Sequence, residues 1–513
     1  MSLLTRGRWI DDWRPDDPVF WEREGKATAR KNLVFSVFAE NLGFSIWVLW
    51  TIIVINLGNI GIQLTISEAF WLTAVPNLVG STLRIPYTFA VPRFGGRVWT
   101  MISASLLLIP AVLAAVVVPS GWLAEQSHDT QFWVLLACAA TAGVGGGNFS
   151  SSMANISHFY PDDKKGFALG INAAGGNIGV AVTQLVVPLA IIVGVPAAAV
   201  KTPIHEVHLA YAGLIWIPFI ILAAVCAYLY MDSITDAKAD KASYTLALRE
   251  KHTWIMSLLY IGTFGTFIGF SFAFPLLVKN TFPEFLAQHP FIATYLAGLS
   301  FLGALIGSVA RPFGGWLSDK VGGSIVTLAV FLGMVGATIM AIVGINSRSF
   351  GLFFGSFMVV FALSGVGNGS TYRMIPSIFK RLGHEEADAT RADHDELQKE
   401  FKRRAAAVIG IAGAIGAFGG FLIQVVLRQA SLDVSALMKA AESPAQKLAI
   451  AQANVDWSVP ALWVFVGAYL VFAAVTYGVY VRGSAATPYE GPTARPFDGV
   501  PAAAHAERVL EHA

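Results

Sequence analysis

Two arginines occupy equivalent places in a motif that occurs twice in the sequence. Residues 80–100 read Gly-Ser-x-x-Arg-x10-Gly-Gly-x3-Thr, and residues 307–327 repeat this pattern with the same spacing, so that Arg84 and Arg311 correspond to each other. Each arginine lies within an apolar segment that is long enough to cross a membrane. An arginine at the centre of a bilayer costs roughly 2.5–3.5 kcal/mol on insertion scales, so an arginine at that depth usually has a functional role. The pair predicts two cationic groups that face each other across a central pathway for an anion.

Glu40 is a carboxylate that lies well inside an apolar segment, whereas Glu68 lies at the mouth of one. One helical face, with the spacing i, i+4, i+7 and i+11, carries Glu40, Phe44, Trp47 and Thr51. Burial and a neighbouring arginine act in opposite directions on the protonation of a carboxylate. This setting favours a group that carries a co-transported proton.

Arg373 is a third arginine within an apolar segment, and it leaves the charge of the central pathway open. A static ion pair between Arg373 and Glu40 is the alternative to a proton-carrying role for Glu40. Glu40 and Glu68 are too few to neutralise three arginines within these segments. The sequence therefore still predicts an excess of positive charge in the pathway.

The elements that position these residues are apolar helices. Hydrophobic residues make up 55% of the chain and charged residues 13%, against about 25% charged residues in soluble domains. A soluble protein is excluded, since so many long apolar runs cannot all be buried core. Runs of about 20 residues occur at 33–57, 66–91, 98–118, 131–159, 166–195, 208–231, 253–278, 293–317, 324–344, 350–378, 404–428 and 458–481.

The second half of the chain repeats the first beyond the arginine motif. The glycine-rich runs 143–147 and 365–369 correspond, and so do the glycine positions of 170–179 and 410–419. Repeats of six spans with a site between them are typical of alternating-access transporters. The sequence predicts an all-α membrane protein of twelve transmembrane helices in two pseudo-symmetric six-helix bundles. The predicted divisions are a cytoplasmic segment 1–32, bundles 33–231 and 253–481, a cytoplasmic linker 232–252 and a disordered cytoplasmic tail 482–513.

Glycines at spacings of three and four let helices approach closely and slide on one another. Packing alone also selects such glycines. We predict that five of them are gating or conformational positions, namely Gly146, Gly176, Gly369, Gly410 and Gly416.

The distribution of charge predicts the topology and excludes several classes of function. Lysines and arginines are concentrated in the N-terminal segment, the linker and the stretch 379–404, which predicts that both termini are cytoplasmic. The segment 1–32 has no signal-peptide pattern. The net charge of +2 gives no sign of nucleic-acid binding.

Cys138 and Cys226 lie in apolar spans as packing residues, so we predict no disulfide, no metal site and no cofactor. The lipid bilayer is the expected surrounding, and we expect a functional monomer.

The fourth and fifth apolar spans contain the most specific pattern of the chain. The glycine-rich run is followed by Asn-Phe-Ser-Ser-Ser-Met-Ala-Asn at 148–155, and Gly-Ile-Asn-Ala-Ala-Gly-Gly-Asn-Ile-Gly follows at 170–179. This stretch resembles the signature of the nitrate/nitrite porter (NarK-type) family of the major facilitator superfamily. The resemblance continues at 12–18, 83–89, 254–260 and 367–372, and 314–323 resembles the loop signature of the superfamily, a cytoplasmic gate candidate.

The resemblance implies a binding site for nitrate and nitrite and assigns residues to it. Arg84 and Arg311 are expected to clamp the anion between aromatic faces. A guanidinium offers in-plane donors and stays charged, which suits a small planar anion. The other expected ligands and neighbours are Phe149, Tyr260, Asn177, Phe264, Asn172 and Phe44.

The function that the resemblance implies is secondary active transport of nitrate and nitrite across the bacterial inner membrane. Glu40 favours nitrate import coupled to protons, and a nitrate/nitrite antiporter without proton coupling is the alternative. An anion channel or a nitrate sensor is the alternative of a different class. Gly-x4-Gly-Lys-Ser/Thr, His-Glu-x-x-His and Gly-x-Ser-x-Gly patterns are missing from the sequence, so we predict neither an ATP-driven pump nor an enzyme.

Overall fold

The computed structural model of the chain describes residues 3–196, 199, 205–235, 237, 241–390, 393–441 and 443–482. Within them, eleven helical segments are long and apolar enough to cross a membrane. A further helix, Ile66–Thr88, carries Arg84 and completes the predicted twelve. We number these segments as crossings 1 to 12: Pro18–Ile60, Ile66–Thr88, Gly96–Val116, His128–Phe159, Lys164–Ile191, Tyr211–Tyr230, Lys251–Thr281, Ala297–Val321, Gly323–Asn346, Phe350–Thr390, His394–Ala430 and Val459–Val481.

Several crossings are made of more than one helix. Crossing 1 contains Lys26–Val48 and Trp50–Asn56, crossing 3 Gly96–Leu106 and Leu108–Val116, crossing 4 His128–Thr141 and Gly143–Phe159, crossing 6 Tyr211–Leu214 and Ile217–Tyr230, and crossing 7 Lys251–Tyr260 and Thr266–Thr281. The last two helices are joined by a π-helical turn, Ile261–Gly265. Shorter helices outside the crossings are Ala90–Phe94, Gly121–Ala124, Lys241–Arg249, Pro283–Gln288, Pro290–Tyr295, Leu432–Ala440 and Pro444–Ala453.

Crossing 1 begins well before the predicted residue 33. The Asp17 side chain accepts hydrogen bonds from the backbone N–H groups of Val19 (2.9 Å) and Phe20 (3.3 Å), and Pro18 occupies the first helical position. Both features start a helix efficiently, because they satisfy or remove donors that have no partner within the helix. The polar segment 1–32 is therefore partly the beginning of the first helix.

The N-terminal segment and the linker lie together on one side of the membrane-crossing bundle. Strand β1 (Trp9–Ile10) pairs in parallel with strand β2 (Ser233–Ile234). Lys31 and Asp232 form a buried ion pair of 2.8 Å beside them. We call this side the terminal side and the opposite one the far side. The predicted tail 482–513 lies outside the described residues from residue 483 onward.

The two halves pack against each other through crossings 2 and 11 and through crossings 5 and 8. Several hydrogen bonds join the halves in the far-side part of the bundle. They link Thr73 to Gln424 (2.9 Å), Gln184 to the Ser271 carbonyl (2.7 Å) and Ser67 to Ser435 (3.0 Å). Direct hydrogen bonds therefore join the two halves on the far side.

Candidate functional site

Arg84 lies at the boundary between the two halves and is fully buried. Its Nε donates a hydrogen bond to the Gly146 carbonyl of crossing 4 (3.1 Å), and its Nη1 donates to the Gly413 carbonyl of crossing 11 (2.7 Å). The guanidinium thus connects the first half to the second. Its Nη2 has no hydrogen-bond partner among the described residues. A buried, charged donor without a partner is costly, so this atom is available for an anion.

Three aromatic rings surround the Arg84 guanidinium. The Cζ atom lies 4.6 Å from the ring centre of Phe149, 4.9 Å from that of Phe264 and 5.5 Å from that of Trp47. The rings of Phe149 and Phe264 are nearly parallel, with an angle of 22° and a centroid distance of 6.2 Å. Aromatic faces stabilise a neighbouring cation, particularly where water is excluded. Two predicted aromatic residues thus line one end of the site.

Arg311 lies on crossing 8 and is 6% exposed. Its guanidinium faces the ring of Tyr372 at 5.5 Å and lies close to the hydroxyl of Tyr260. Its Nη1 has no hydrogen-bond partner among the described residues. The charges of Arg84 and Arg311 lie within electrostatic range of each other. The structure therefore brings together the two arginines that the repeat pairs.

Tyr260, Phe264 and Phe44 complete the aromatic wall. The π-helical turn of crossing 7 follows Tyr260, and the ring of Tyr260 stacks on that of Phe264 at 5.4 Å and 16°. Phe44 contacts Trp47 edge-on at 5.5 Å and Phe149 at 6.1 Å. Phe44 therefore supports the rings that surround Arg84 and does not itself face the guanidinium.

Glu40 is fully buried and lies within electrostatic range of both arginines. Its Oε2 accepts hydrogen bonds from the Ser152 hydroxyl and from Asn172 Nδ2, the latter at 2.7 Å. Its Oε1 has no partner among the described residues. Two arginines and one carboxylate give the site a formal excess of one positive charge when Glu40 is ionised. One monovalent anion balances that charge.

The two predicted asparagines have different surroundings. Asn172 Nδ2 donates to Glu40 and to the Ser152 hydroxyl (2.6 Å), so its donor serves the carboxylate and not an anion. Asn177 is 1% exposed, and neither of its side-chain polar atoms has a hydrogen-bond partner among the described residues. Of the two, Asn177 is the one with donors to offer to a ligand.

Arg373 does not belong to the site. Its Nε donates to the Asp319 carboxylate, and the side chains of both residues are about half exposed, at 53% and 52%. Asp319 lies in the 314–323 loop signature on the terminal side. The predicted alternative of a static Arg373–Glu40 pair is therefore wrong, because Arg373 is engaged at the surface by another carboxylate.

Four of the five predicted glycines lie where another chain segment comes close. A Cβ at Gly146 would lie 2.5 Å from the Trp47 ring, and one at Gly369 would lie 2.2 Å from the Arg311 carbonyl oxygen. A Cβ at Gly176 would lie 2.6 Å from Glu40 Oε1, and one at Gly416 would lie 2.4 Å from the Tyr260 ring. Any larger residue would displace groups of the site.

The fifth predicted glycine, Gly410, lies in more open surroundings. The nearest atom to an added Cβ is the Tyr244 hydroxyl of the linker helix, at 3.3 Å. An alanine at this position therefore needs only a small shift of a side chain. A gating role for Gly410 stays a prediction without a close helix approach behind it.

The sequence pointed to much of the site but did not assign three residues that complete it. Trp47 and Tyr372 face the two guanidinium groups, and Ser152 holds Glu40. The repeat contains a signal for Tyr372, since 143–147 corresponds to 365–369 and places residue 372 one position beyond the counterpart of Phe149. Among the described residues, no group of three or more His, Cys, Asp or Glu side chains is placed to hold a metal ion.

Comparison with known proteins identifies the family. Residues 33–423 match the Major Facilitator Superfamily. The chain is 40% identical over 428 residues to the nitrate/nitrite transporter NarU of Escherichia coli (strain K12), covering 81% of this chain and 88% of that protein. It is 36% identical over 435 residues to the probable nitrate/nitrite antiporter NarK2 of Thermus thermophilus, covering 82% and 90%.

A solved structure agrees with this assignment at the level of the fold. A bacterial homologue of the human lysosomal transporter Spinster superimposes with a TM-score of 0.58 at 14% identity, covering 88% of this chain and 97% of the other. Identity this low shows the shared fold alone. The fold, the repeated arginine motif and the relatives agree, and the chain belongs to the nitrate/nitrite porter (NarK-type) family of the Major Facilitator Superfamily.

Proposed function

We propose that this protein transports nitrate and nitrite by alternating access through the site between Arg84 and Arg311. The proposal rests mainly on the two buried guanidinium groups, each of which has a donor nitrogen without a hydrogen-bond partner among the described residues. Relatives that are named as nitrate/nitrite transporters or antiporters support it. A guanidinium presents donors in one plane, which matches the planar oxygens of these anions.

The aromatic faces supply selectivity for flat anions. Two rings that both contact a planar anion are separated by about 7–8 Å, because each contact needs about 3.5–4.0 Å. Phe149 and Phe264 lie 6.2 Å apart and nearly parallel. The rings therefore part by about 1–2 Å to admit such an anion. A tetrahedral anion such as phosphate needs a wider opening and fits this slot poorly.

Alternating access requires that an anion change the contacts between the halves. Arg84 contributes directly to those contacts, since its Nη1 binds the Gly413 carbonyl of the other half. An anion that binds the free Nη2 also attracts the whole guanidinium, whose Nη1 joins the halves. Its binding therefore changes the interaction that connects crossings 2 and 11, whereas Thr73 and Gln424 join the halves on the far side.

We propose further that Glu40 couples nitrate import to protons. In the empty site the charges of Arg84 and Arg311 repel each other, and an ionised Glu40 offsets part of that repulsion. When the anion arrives, it takes over this role, and a proton on Glu40 then returns the formal charge of the site to the +1 of the empty state. A nitrate/nitrite antiporter needs no titratable group here, so the buried Glu40 favours symport.

The remaining parts of the proposal concern the setting of the protein. We place it in the bacterial inner membrane with both termini in the cytoplasm, so the terminal side is the cytoplasmic side. We also propose that it acts as a monomer and has no enzymatic activity. The concentration of basic residues on the terminal side supports this orientation.

Uptake into proteoliposomes tests the proposed function. A carrier shows faster entry of labelled nitrate when the vesicles contain unlabelled nitrate, whereas a channel shows no such stimulation. A sensor binds nitrate but gives no uptake. Binding without uptake, or uptake without stimulation from the inside, would contradict the proposal.

Phe149→Ala is expected to weaken anion binding and to reduce the preference for planar anions. The variant removes a ring face worth about 0.5–1.5 kcal/mol, which corresponds to roughly 2- to 13-fold in affinity. Phe149→Leu is the matched control for volume, and it is expected to lose selectivity as well, because it lacks the ring face. Competition of nitrate with other anions measures the effect, and unchanged selectivity in both variants would return Phe149 to a packing role.

A further inference from the structure

A file of buried polar side chains runs along one face of crossing 1, from Glu40 toward the terminal side. Thr28, Asn32, Ser36 and Glu40 recur at every fourth residue and therefore share a helical face. Each of them is at most 5% exposed. Buried polar side chains on a membrane-crossing helix are costly and usually functional. Glu40 and Asn32 are separated by about 12 Å along the helix axis.

The part of the file next to Glu40 is a chain of hydrogen bonds with a defined direction. The Ser152 hydroxyl donates its single proton to Glu40 Oε2 and accepts a hydrogen bond from Asn172 Nδ2 at 2.6 Å. The Ser36 hydroxyl lies 2.9 Å from the Ser152 hydroxyl. Because the Ser152 proton is already given to Glu40, Ser36 is the donor in this contact. The two hydroxyl groups therefore point their protons toward the carboxylate.

Asn155 lies about one turn after Ser152 on crossing 4 and contacts Gly96 of crossing 3. Crossings 1 and 4 run in opposite directions, so the turn after Ser152 lies level with the turn before Ser36. This register places Asn155 at the level of Asn32. Asn155 is 4% exposed, and its Nδ2 has no hydrogen-bond partner among the described residues.

The file ends at Asp232, the first residue of the linker after crossing 6. Asp232 is 2% exposed and accepts hydrogen bonds from Asn32 Nδ2 (2.9 Å) and from the backbone N–H of Arg8 (3.0 Å). It also pairs with Lys31. The charged groups along the file are thus Arg84 and Arg311 beside Glu40, and Lys31 beside Asp232.

We propose that the hydroxyl groups of Ser152 and Ser36 relay protons between Glu40 and the terminal side, with Asn172 as the positioning residue. This inference rests on the proton coupling proposed above. When Glu40 is protonated, the Ser152 proton moves to Glu40 Oε2 and the Ser36 proton moves to Ser152 Oγ. Ser36 then takes a proton from a hydronium ion on the terminal side, which leaves a water molecule. The reverse order releases the proton, and each hydroxyl ends as it began.

Ser36→Ala tests the relay in the full-length protein reconstituted into proteoliposomes. We expect nitrate uptake driven by a pH gradient to fall about tenfold or more, since a positioned proton-transfer group contributes at least that much. Nitrate counterflow at equal pH is expected to stay within about twofold of the unsubstituted protein, because exchange does not move the proton along the file. Ser36→Thr keeps the hydroxyl and is expected to restore gradient-driven uptake.

Ser151→Ala is the matched control, because its hydroxyl donates to the Asn148 carbonyl of its own helix (3.0 Å) and not to Glu40. Undiminished gradient-driven uptake by Ser36→Ala would overturn the relay and leave the proposed function intact. A parallel loss of counterflow that Ser36→Thr does not restore would also overturn it, since that result indicates packing. If the unsubstituted protein shows no gradient-driven accumulation, the proton coupling itself is wrong and the relay with it.

Discussion

Arg84→Lys and Arg311→Lys are each expected to abolish most nitrate uptake while the protein still inserts and folds. Lysine keeps the charge but has one nitrogen in place of a planar fork. At Arg84 the Gly146 carbonyl, the Gly413 carbonyl and the anion are served by three different nitrogens, and a single ammonium nitrogen does not reach all three positions. The loss of one hydrogen bond to a charged group is worth about 1.5–3 kcal/mol, or roughly 10- to 150-fold in affinity.

The measurements for these variants are nitrate affinity and initial uptake rate in proteoliposomes. Arg381→Lys is the matched control, because Arg381 forms an ion pair of 3.0 Å with Glu385 away from the site. It makes the same substitution and is expected to transport normally. Near-normal uptake by Arg84→Lys or Arg311→Lys would remove that arginine from the site.

Glu40→Gln is expected to separate two activities. It should lose uptake driven by a pH gradient but keep nitrate–nitrate and nitrate–nitrite exchange, because the amide resembles a carboxyl group that stays protonated. Its oxygen still accepts from Ser152 and Asn172, as Glu40 Oε2 does. Net symport returns an empty site, in which the ionised Glu40 offsets the charges of Arg84 and Arg311. Exchange never passes through that state.

Glu68→Gln is the control for Glu40→Gln. Glu68 caps the start of crossing 2, where its carboxylate accepts from the Thr65 backbone N–H (2.8 Å), and it pairs with His128 at 2.9 Å. A glutamine also serves in a capping box, so gradient-driven uptake should persist. If Glu40→Gln still accumulates nitrate on a pH gradient, Glu40 has a structural role and exchange is the better interpretation. If the variant loses exchange in addition to gradient-driven uptake, Glu40 is needed to hold the site together.

The sequence was sufficient to predict the twelve crossings and the pairing of Arg84 with Arg311. The crossings follow from long apolar runs, and the arginines from a repeat that a two-bundle fold brings face to face. The helix of crossing 1 begins before the predicted apolar run 33–57, because a polar segment with a good N-cap at Asp17 continues the helix beyond its apolar part. Hydrophobicity marks where a helix crosses a membrane and not where it begins.

The sequence was less informative about which polar residues contact one another. It assigned Asn172 to the anion, whereas the structure places its amide on Glu40. It offered Arg373 as a partner for Glu40, whereas Arg373 binds Asp319 on the terminal side. Both contacts depend on where neighbouring helices bring their side chains, and the spacing along one helix does not contain that information. Ser152 was missed for the same reason, since serines in apolar helices often bind only their own backbone.

Transport through the arginine pair is tested most directly by nitrate uptake in proteoliposomes, with the purified protein and with its Arg84→Lys variant, under an imposed pH gradient and with internal nitrite. We expect accumulation on the pH gradient, faster entry with internal nitrite, and a decrease of roughly 10- to 150-fold in nitrate affinity for the variant. No uptake of nitrate or nitrite by the unsubstituted protein under either condition, or full uptake by Arg84→Lys, would contradict transport through the pair.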